Sequence, residues 1–480
     1  MRNIMPKSWL KFNYRPVVVW LAVFLTAFIP MYLKFPILFV SGTFVTVRLE
    51  DFLLFGLYLL LGLTYWSRRK EKTVVRFAPL FSLFFLFGLL SVLISFFGFG
   101  YLDLKLGLLH WARRIEYMSI FFLGLLFPFS KDELKRVLAV AIAVSCLISL
   151  YALGQRYWSY PAISTINSEL SKGLVYQLTV FDRVNSTFSG HYDLAAYLLM
   201  HIPLLLGLLV YLFEGKKSKK TWVLMILLVM IVALNFYVLV MTAARLSFVA
   251  LIASTFSLFV LLKKWRWLLL AALIFIGSMI YPSELRNRFV STIRVNVQKT
   301  WTGYKSNNSV QEKRSLLNIP TLPADNKRIG SVGVDSADIV PGEPTNTTDL
   351  GVFRSLDIRL KVEWPRALVA FKRNPLTGMG YSALGLATDN DWLRALGETG
   401  IVGLVMLVGI VMVVGRQLLI YSRSDKITFF VSRTALAIYL GFLVNSLFID
   451  VFEASKIAIL FWLYFGIIVG YLNKGNEKKI

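Results

Sequence analysis

The chain alternates between apolar runs of roughly 17 to 23 residues and polar connections, and such runs are long enough to cross a hydrocarbon core of about 30 Å as helices. About 12 spans are predicted, near 17–33, 50–66, 77–98, 112–128, 137–154, 193–213, 221–241, 244–262, 267–281, 397–415, 428–449 and 457–472. The expected fold is all-α, a polytopic helical membrane protein. One long hydrophilic stretch, 282–396, interrupts the pattern between the ninth and tenth spans. It divides the chain into spans 1 to 9 (residues 1–281), a large extracytoplasmic loop (282–396), and spans 10 to 12 with a cytoplasmic tail (397–480). Within the loop, 305–349 is rich in Asn, Pro and Gly and reads as a flexible insertion. From 351 to 373 helical spacing returns, with Phe353, Leu356, Leu360, Trp364, Leu368 and Phe371 three or four residues apart. That spacing predicts an amphipathic helix on the membrane surface, bent near Pro365.

Composition strengthens the membrane reading. Hydrophobic residues make up 57% and charged residues 16%, with mean hydropathy +0.65, far from an ordinary soluble domain. The net charge of +25 does not call for nucleic acid, because many of the Lys and Arg fall in alternate connections between spans. These are Arg68 to Lys72, Lys131 to Arg136, Lys216 to Lys220, Lys263 to Arg266, Arg416 to Lys426 and Lys474 to Lys479. By the positive-inside bias they face the cytoplasm together with both termini, and 155–192 and 282–396 face outward. The basic leader Arg2, Lys7, Lys11 and Arg15 before the first span reads as a retained signal anchor. A single cysteine, Cys146, excludes a disulfide framework and a Cys-based metal site. No Walker A loop, dinucleotide fingerprint, His-Glu-x-x-His or nucleophile elbow is present. No cofactor is predicted, and ATP-driven transport by this chain alone is disfavoured.

Charges at the outward ends of spans then need an explanation. Arg183, Arg245 and Arg359 lie where the positive-inside bias does not ask for cations. Arg245 either snorkels to lipid headgroups or dips into the protein. Arg359 and Arg366, seven apart, would share one face of a continuous helix, an inference that Pro365 weakens. His191, beside the Arg183 segment, is either a structural hydrogen-bonding group or part of a site. Converging guanidiniums would suit a lipid-linked diphosphate, offering paired donors to its oxygens and stabilising charge as it departs.

Carboxylates gather at the mouth of the tenth span in Thr388-Asp-Asn-Asp-Trp-Leu-Arg-Ala-Leu-Gly-Glu398, where a helix is predicted to start near Asp389. Asp389 is either the helix N-cap or a general base for an attacking hydroxyl. Arg394 can pair with Asp391 and Glu398 and so hold the helix entry. Asp389-Asn390-Asp391 could also offer oxygen ligands to a divalent cation, but nearby arginines could neutralise phosphate without one, so no metal is predicted.

Arg359 with Trp364, then Asn374-Pro375, Gly378-Met-Gly380, Asp389-Asn390, Leu393 and Glu398-Thr-Gly400 to Gly403, resemble the signature of the O-antigen ligase and polymerase superfamily of bacterial membrane glycosyltransferases. Arg183 and Arg245 fall where members of that family also carry arginines. The resemblance implies a glycosyltransferase C type fold, a polyprenyl-diphosphate-linked glycan donor, a glycan or lipid acceptor, and metal-independent transfer with inversion at the outer face of the bacterial inner membrane. It also implies that Arg183, Arg245 and Arg359 contact the diphosphate and that Asp389 holds the position of the base, with His191, Arg366, Asn390, Asp391, Arg394 and Glu398 as accessory candidates. Many ligases carry His before the Asn of this motif, so Asp389-Asn390 argues against a His-based mechanism and favours the polymerase branch. The competing readings are a transporter or flippase of lipid-linked glycans, which should bury charges at mid-span, and a protein O-oligosaccharyltransferase.

Overall fold

The apolar runs fold into helices that stack side by side. The computed structural model describes residues 15–41, 43, 46–68, 72–100, 102–164, 173–178, 182–301, 355, 357–385, 387–420 and 425–477. The first helices are α1 (Arg15–Met31), α2 (Leu49–Arg68), α3 (Lys72–Ile94), α4 (Leu104–Ser119), α5 (Phe121–Leu126) and α6 (Lys131–Tyr157). They are followed by α7 (His191–Phe213), α8 (Lys219–Met241), α9 (Arg245–Leu261), α10 (Trp265–Ile280) and α11 (Glu284–Trp301). The last are α12 (Trp364–Arg373), α13 (Asp391–Ile420), α14 (Lys426–Ser446) and α15 (Ser455–Glu477). Two short antiparallel strand pairs, Pro36–Phe39 with Thr46–Arg48 and Pro161–Ile163 with Val175–Gln177, qualify the all-α expectation without changing the class. The expected insertion 305–349 and the start of the helix expected over 351–373 lie outside the described residues.

Every apolar run falls on a helix, yet fewer helices than runs have the dimensions of a span. Among the described residues seven are long and apolar enough to cross a membrane, or eight if the bent pair α10 and α11 counts as one. α1 and α9 are shorter apolar helices, and the run 112–128 is divided between α4 and α5. The expectation of about 12 spans is thus established only as a multi-pass bundle of seven or eight.

Packing places α15 at the centre. Its apolar window is 83% buried, whereas that of α8 is only 33% buried and presents Val223, Leu227 and Met230 outward, as a lipid-facing helix does. Around α15, Phe461 and Trp462 stack with Phe121, Phe442 and Phe452 from neighbouring elements, an interlocking aromatic core. α14 lies between α7 and α9, and Ser254 of α9 donates to the Ala437 carbonyl across that contact.

Several elements break at one end of the bundle. α3 ends in a π-helical turn, Ser95–Phe99, closed by Gly100 in the left-handed region. The chain turns 80° between α10 and α11. α11 was not expected within the hydrophilic loop. It buries Leu285, Arg288 and Ser291, and Phe289 packs on Phe248 of α9. The same end collects the N-termini of α7, α9, α13 and α15.

Candidate functional site

The loop between α12 and α13 is tied to a break inside α13. Gly400 has φ +64°, ψ −169°, so the helix opens there and its carbonyls lose their partners in the following turn. The loop replaces them. Met379 N–H donates to Gly397 O (3.0 Å), Gly380 N–H to Glu398 O (2.8 Å), and Ile401 N–H to Pro375 O (2.8 Å). Gly378 (φ +70°) and Gly400 cross so closely that a Cβ on either would lie about 2.4 Å from the other strand's backbone. Ser91 of α3 and Ser95 of the π-helical turn that follows it donate to Glu398 O and Met379 O and brace the crossing. The Glu398 carboxylate, buried at 2% exposure, accepts from Ser382 N–H (3.1 Å) and pairs with Arg394 (3.5 Å). These contacts give the glycines and Glu398 a structural role.

The helix entry differs from expectation by two residues. α13 starts at Asp391, and its cap is Asn390, whose side-chain oxygen accepts from Trp392 N–H (3.0 Å) and Leu393 N–H (2.9 Å). Asp389 is therefore not the cap. It has φ +50°, a left-handed conformation, and its carboxylate takes Nε (2.8 Å) and Nη2 (2.5 Å) of Arg359 on one oxygen, Oδ2. Asp391 turns elsewhere and accepts from Phe452 N–H (3.2 Å), so the Asp-x-Asp pattern does not bring its two carboxylates onto one ligand position. The organiser of the turn is Asp450, between α14 and α15. It accepts from Thr388 N–H (2.8 Å), Asn390 N–H (3.0 Å) and Arg394 Nη1 (3.1 Å).

Arg359 lies on a π-helical stretch, Ile358–Glu363, that runs straight into α12. Pro365 has no N–H to give to the preceding turn, and the wider π turn ahead of it accommodates that loss. The π stretch interrupts the continuous α-helix on which a shared face for Arg359 and Arg366 depended. Arg366 instead donates to Leu384 O (3.1 Å) and braces the loop. Arg359 is 6% exposed and also reaches Ser355 (3.0 Å).

Arg183 and Arg245 come from two other segments. The segment carrying Arg183 is locked in place: Gln155 bonds both faces of Ser186 (2.7 and 2.9 Å), and Thr187 donates to Pro30 O (2.6 Å). Arg183 Nη1 lies 2.9 Å from Nε2 of His191, the first residue of α7. Since the guanidinium can only donate, His191 accepts there as a neutral ring. Arg245 opens α9 after a turn with Ala243 at φ +51°, and it donates to Thr292 of α11. The arginines share one electrostatic neighbourhood. Arg245 is repelled by Arg359 and Arg183, and Tyr192 stands close to both Arg245 and Arg359.

Two carboxylates define the acid–base character. Burial raises the pKa of Asp389 above its usual value, Arg359 opposes the rise and Asp450 adds to it. Burial pushes Glu363 up to about 7, aided by Asp389 and opposed by Arg359, and its Oε2 is buried without a hydrogen-bond partner. Sequence reasoning missed Tyr192, Glu363, Arg288 and Asp450. Span parity alone places Asp450 at the same end as Asp389, a signal that could have found it.

Among the described residues no group of three or more His, Cys, Asp and Glu side chains is arranged to hold a metal ion. No curated protein matches the chain. Residues 230–408, from within α8 to within α13, match the family model described as O-antigen ligase. The matched stretch contains Arg245, Arg359 and Asp389 and supports the resemblance to the O-antigen ligase and polymerase superfamily.

Proposed function

We propose that this chain transfers glycan from a polyprenyl-diphosphate-linked donor to a glycan or lipid acceptor at the outer face of the bacterial cytoplasmic membrane, without a metal and with inversion. The observation that carries the reading is that Arg183 and Arg359, from separate segments, both lie within electrostatic reach of Arg245, and that Arg359 holds the Asp389 carboxylate on one oxygen. The guanidiniums contact the diphosphate and take up the charge that grows on it as the glycosidic C–O bond breaks. The acceptor hydroxyl attacks the anomeric carbon from the opposite face, and its proton passes to the carboxylate of Asp389. Arg359 touches base and leaving group together and fixes their spacing.

Within this reading the glycosyltransferase C type describes the bundle, and the end that collects the N-termini of α7, α9 and α13 is the outer one. Positive helix ends there favour an anion. Asp389 at the position where many ligases have His favours a polymerase over a ligase.

The test is direct. Arg245→Ala and Arg359→Ala each abolish glycan transfer while leaving membrane insertion intact; normal glycan length and attachment in both variants would sink the diphosphate contact. Deletion separates the branches, since loss of a polymerase leaves single repeat units on the acceptor and loss of a ligase leaves long chains on the lipid carrier.

A further inference from the structure

A cavity of about 460 Å³ is lined by Arg183, Arg288, Tyr157, Tyr237, Tyr281 and Glu284 among others. Arg288 is the unusual member. It comes from the buried face of α11, is 6% exposed, and its Nε and Nη1 are buried without a hydrogen-bond partner. Glu284, one turn earlier on the same helix, forms no ion pair with it. The Arg288 backbone carbonyl accepts from Arg245 (3.4 Å), so replacing the Arg288 side chain leaves that contact in place. A guanidinium is charged at any relevant pH, and burying one unpaired is costly unless something arrives to pair with it. Compare the buried Lys456, which donates to the Thr187 carbonyl (2.8 Å) and the Pro30 carbonyl (3.2 Å) and is thereby satisfied.

We infer that Arg288 is an oxyanion-binding residue and that this cavity is a substrate compartment continuous with the arginine cluster, taking either a phosphate of the lipid-linked donor or the carboxylate of an acidic sugar. The inference rests on the proposed glycan transfer and extends it to a residue outside the three arginines already assigned. Arg156, Arg183 and Arg288 outnumber Asp182 and Glu284 in the lining, so the compartment favours an anion. Tyr157 and Tyr237, whose hydroxyls lie 2.6 Å apart, add aromatic faces and polar edges of the kind that sugars pack against.

The experiment measures binding of inorganic pyrophosphate and of glucuronate to the full-length chain in detergent, with thermal unfolding of the same samples, for wild type, Arg288→Met, Arg288→Lys and Arg359→Ala. Arg288→Met is expected to weaken one of the two probes by about tenfold or more, the loss of a charge-assisted hydrogen bond. It is also expected to unfold at a higher temperature than wild type when no anion is added, because an unpaired buried charge has been removed. Weakened pyrophosphate assigns Arg288 to the donor, and weakened glucuronate assigns it to an acidic sugar. Should Arg288→Met fail to fold, Arg288→Lys keeps the charge and is expected to weaken the same probe by a smaller factor. Unchanged binding of both probes in whichever Arg288 variant folds overturns the inference, as does a lowered unfolding temperature with unchanged affinity, the mark of a structural residue. Arg359→Ala separates the two claims. If it weakens pyrophosphate while the Arg288 variants weaken neither probe, the compartment is wrong and the diphosphate contact stands; if the Arg288 variants weaken a probe and Arg359→Ala leaves pyrophosphate unchanged, the reverse holds.

Discussion

Removing the Asp450 carboxylate should disable the site without touching any group that meets substrate. Asp450 accepts from two backbone N–H groups, of Thr388 and Asn390, and from Arg394, and its side chain is only 12% exposed. In Asp450→Ala each orphaned N–H costs about 1–3 kcal/mol, so the turn that holds Asp389 loses roughly 2–6 kcal/mol of local stability. Arg394 keeps the Gly385 carbonyl and Glu398, which limits the damage on its side. A displacement of Asp389 by about 1 Å is enough to slow the chemistry on the order of a hundredfold. The assay is glycan transfer in proteoliposomes beside thermal unfolding in detergent, with Asp450→Asn as the graded control. The alanine variant should lose about a hundredfold or more in kcat with KM for the donor little changed, and the asparagine variant, which retains an acceptor oxygen, should fall between. Wild-type kcat and unfolding temperature in Asp450→Ala would refute the positioning argument.

The remaining predictions concern the chemistry and the scaffold. Asp389→Asn keeps an oxygen for Arg359 but cannot take a proton, so kcat should drop about 10²- to 10⁴-fold with the fold retained; full activity would exclude Asp389 as the base. Glu363 has a folded pKa of about 7, raised from its usual 4.5, so the native state holds its proton more tightly than the unfolded chain. Its stabilising contribution is full below pH 4.5 and is lost as pH rises toward 7, and Glu363→Gln should remove that slope from unfolding curves. Gly400→Ala combines a strained φ of +64° with a Cβ about 2.4 Å from the Leu376 carbonyl, and should fail to accumulate in the membrane; normal expression and activity would contradict the crossing. Transfer should persist with excess EDTA, and complete loss rescued by a divalent cation would reverse the metal-free mechanism.

The hydrophobic pattern made the helices legible, because length and composition alone decide whether a segment can bury its backbone in lipid. It could not say which helices would be cut short or bent, so the count of about 12 spans is not confirmed: α4 and α5 divide one run, and α10 turns by 80° into α11. α11 is hard to see in the sequence because its buried positions, Leu285, Arg288 and Ser291, include only one apolar side chain. The glycines at 378 and 400 were visible as a motif, yet their reason, a loop replacing the hydrogen bonds of a broken helix, depends on residues brought together by folding. At Asp389-Asn390-Asp391 three cap-competent residues stand in a row, and only the contacts to Asp450 and Arg359 settle which one caps. Asp450 itself sits about sixty residues beyond the turn it organises, out of range of any local pattern.

The central claim is tested most directly by reconstituting the purified chain in vesicles with a labelled polyprenyl-diphosphate-linked oligosaccharide and following the lipid product. The account predicts free polyprenyl diphosphate and an enlarged glycan from the wild type in the presence of EDTA, and neither from Arg245→Ala or Arg359→Ala. Intact donor lipid with the wild type, or equal turnover by the arginine variants, would contradict it.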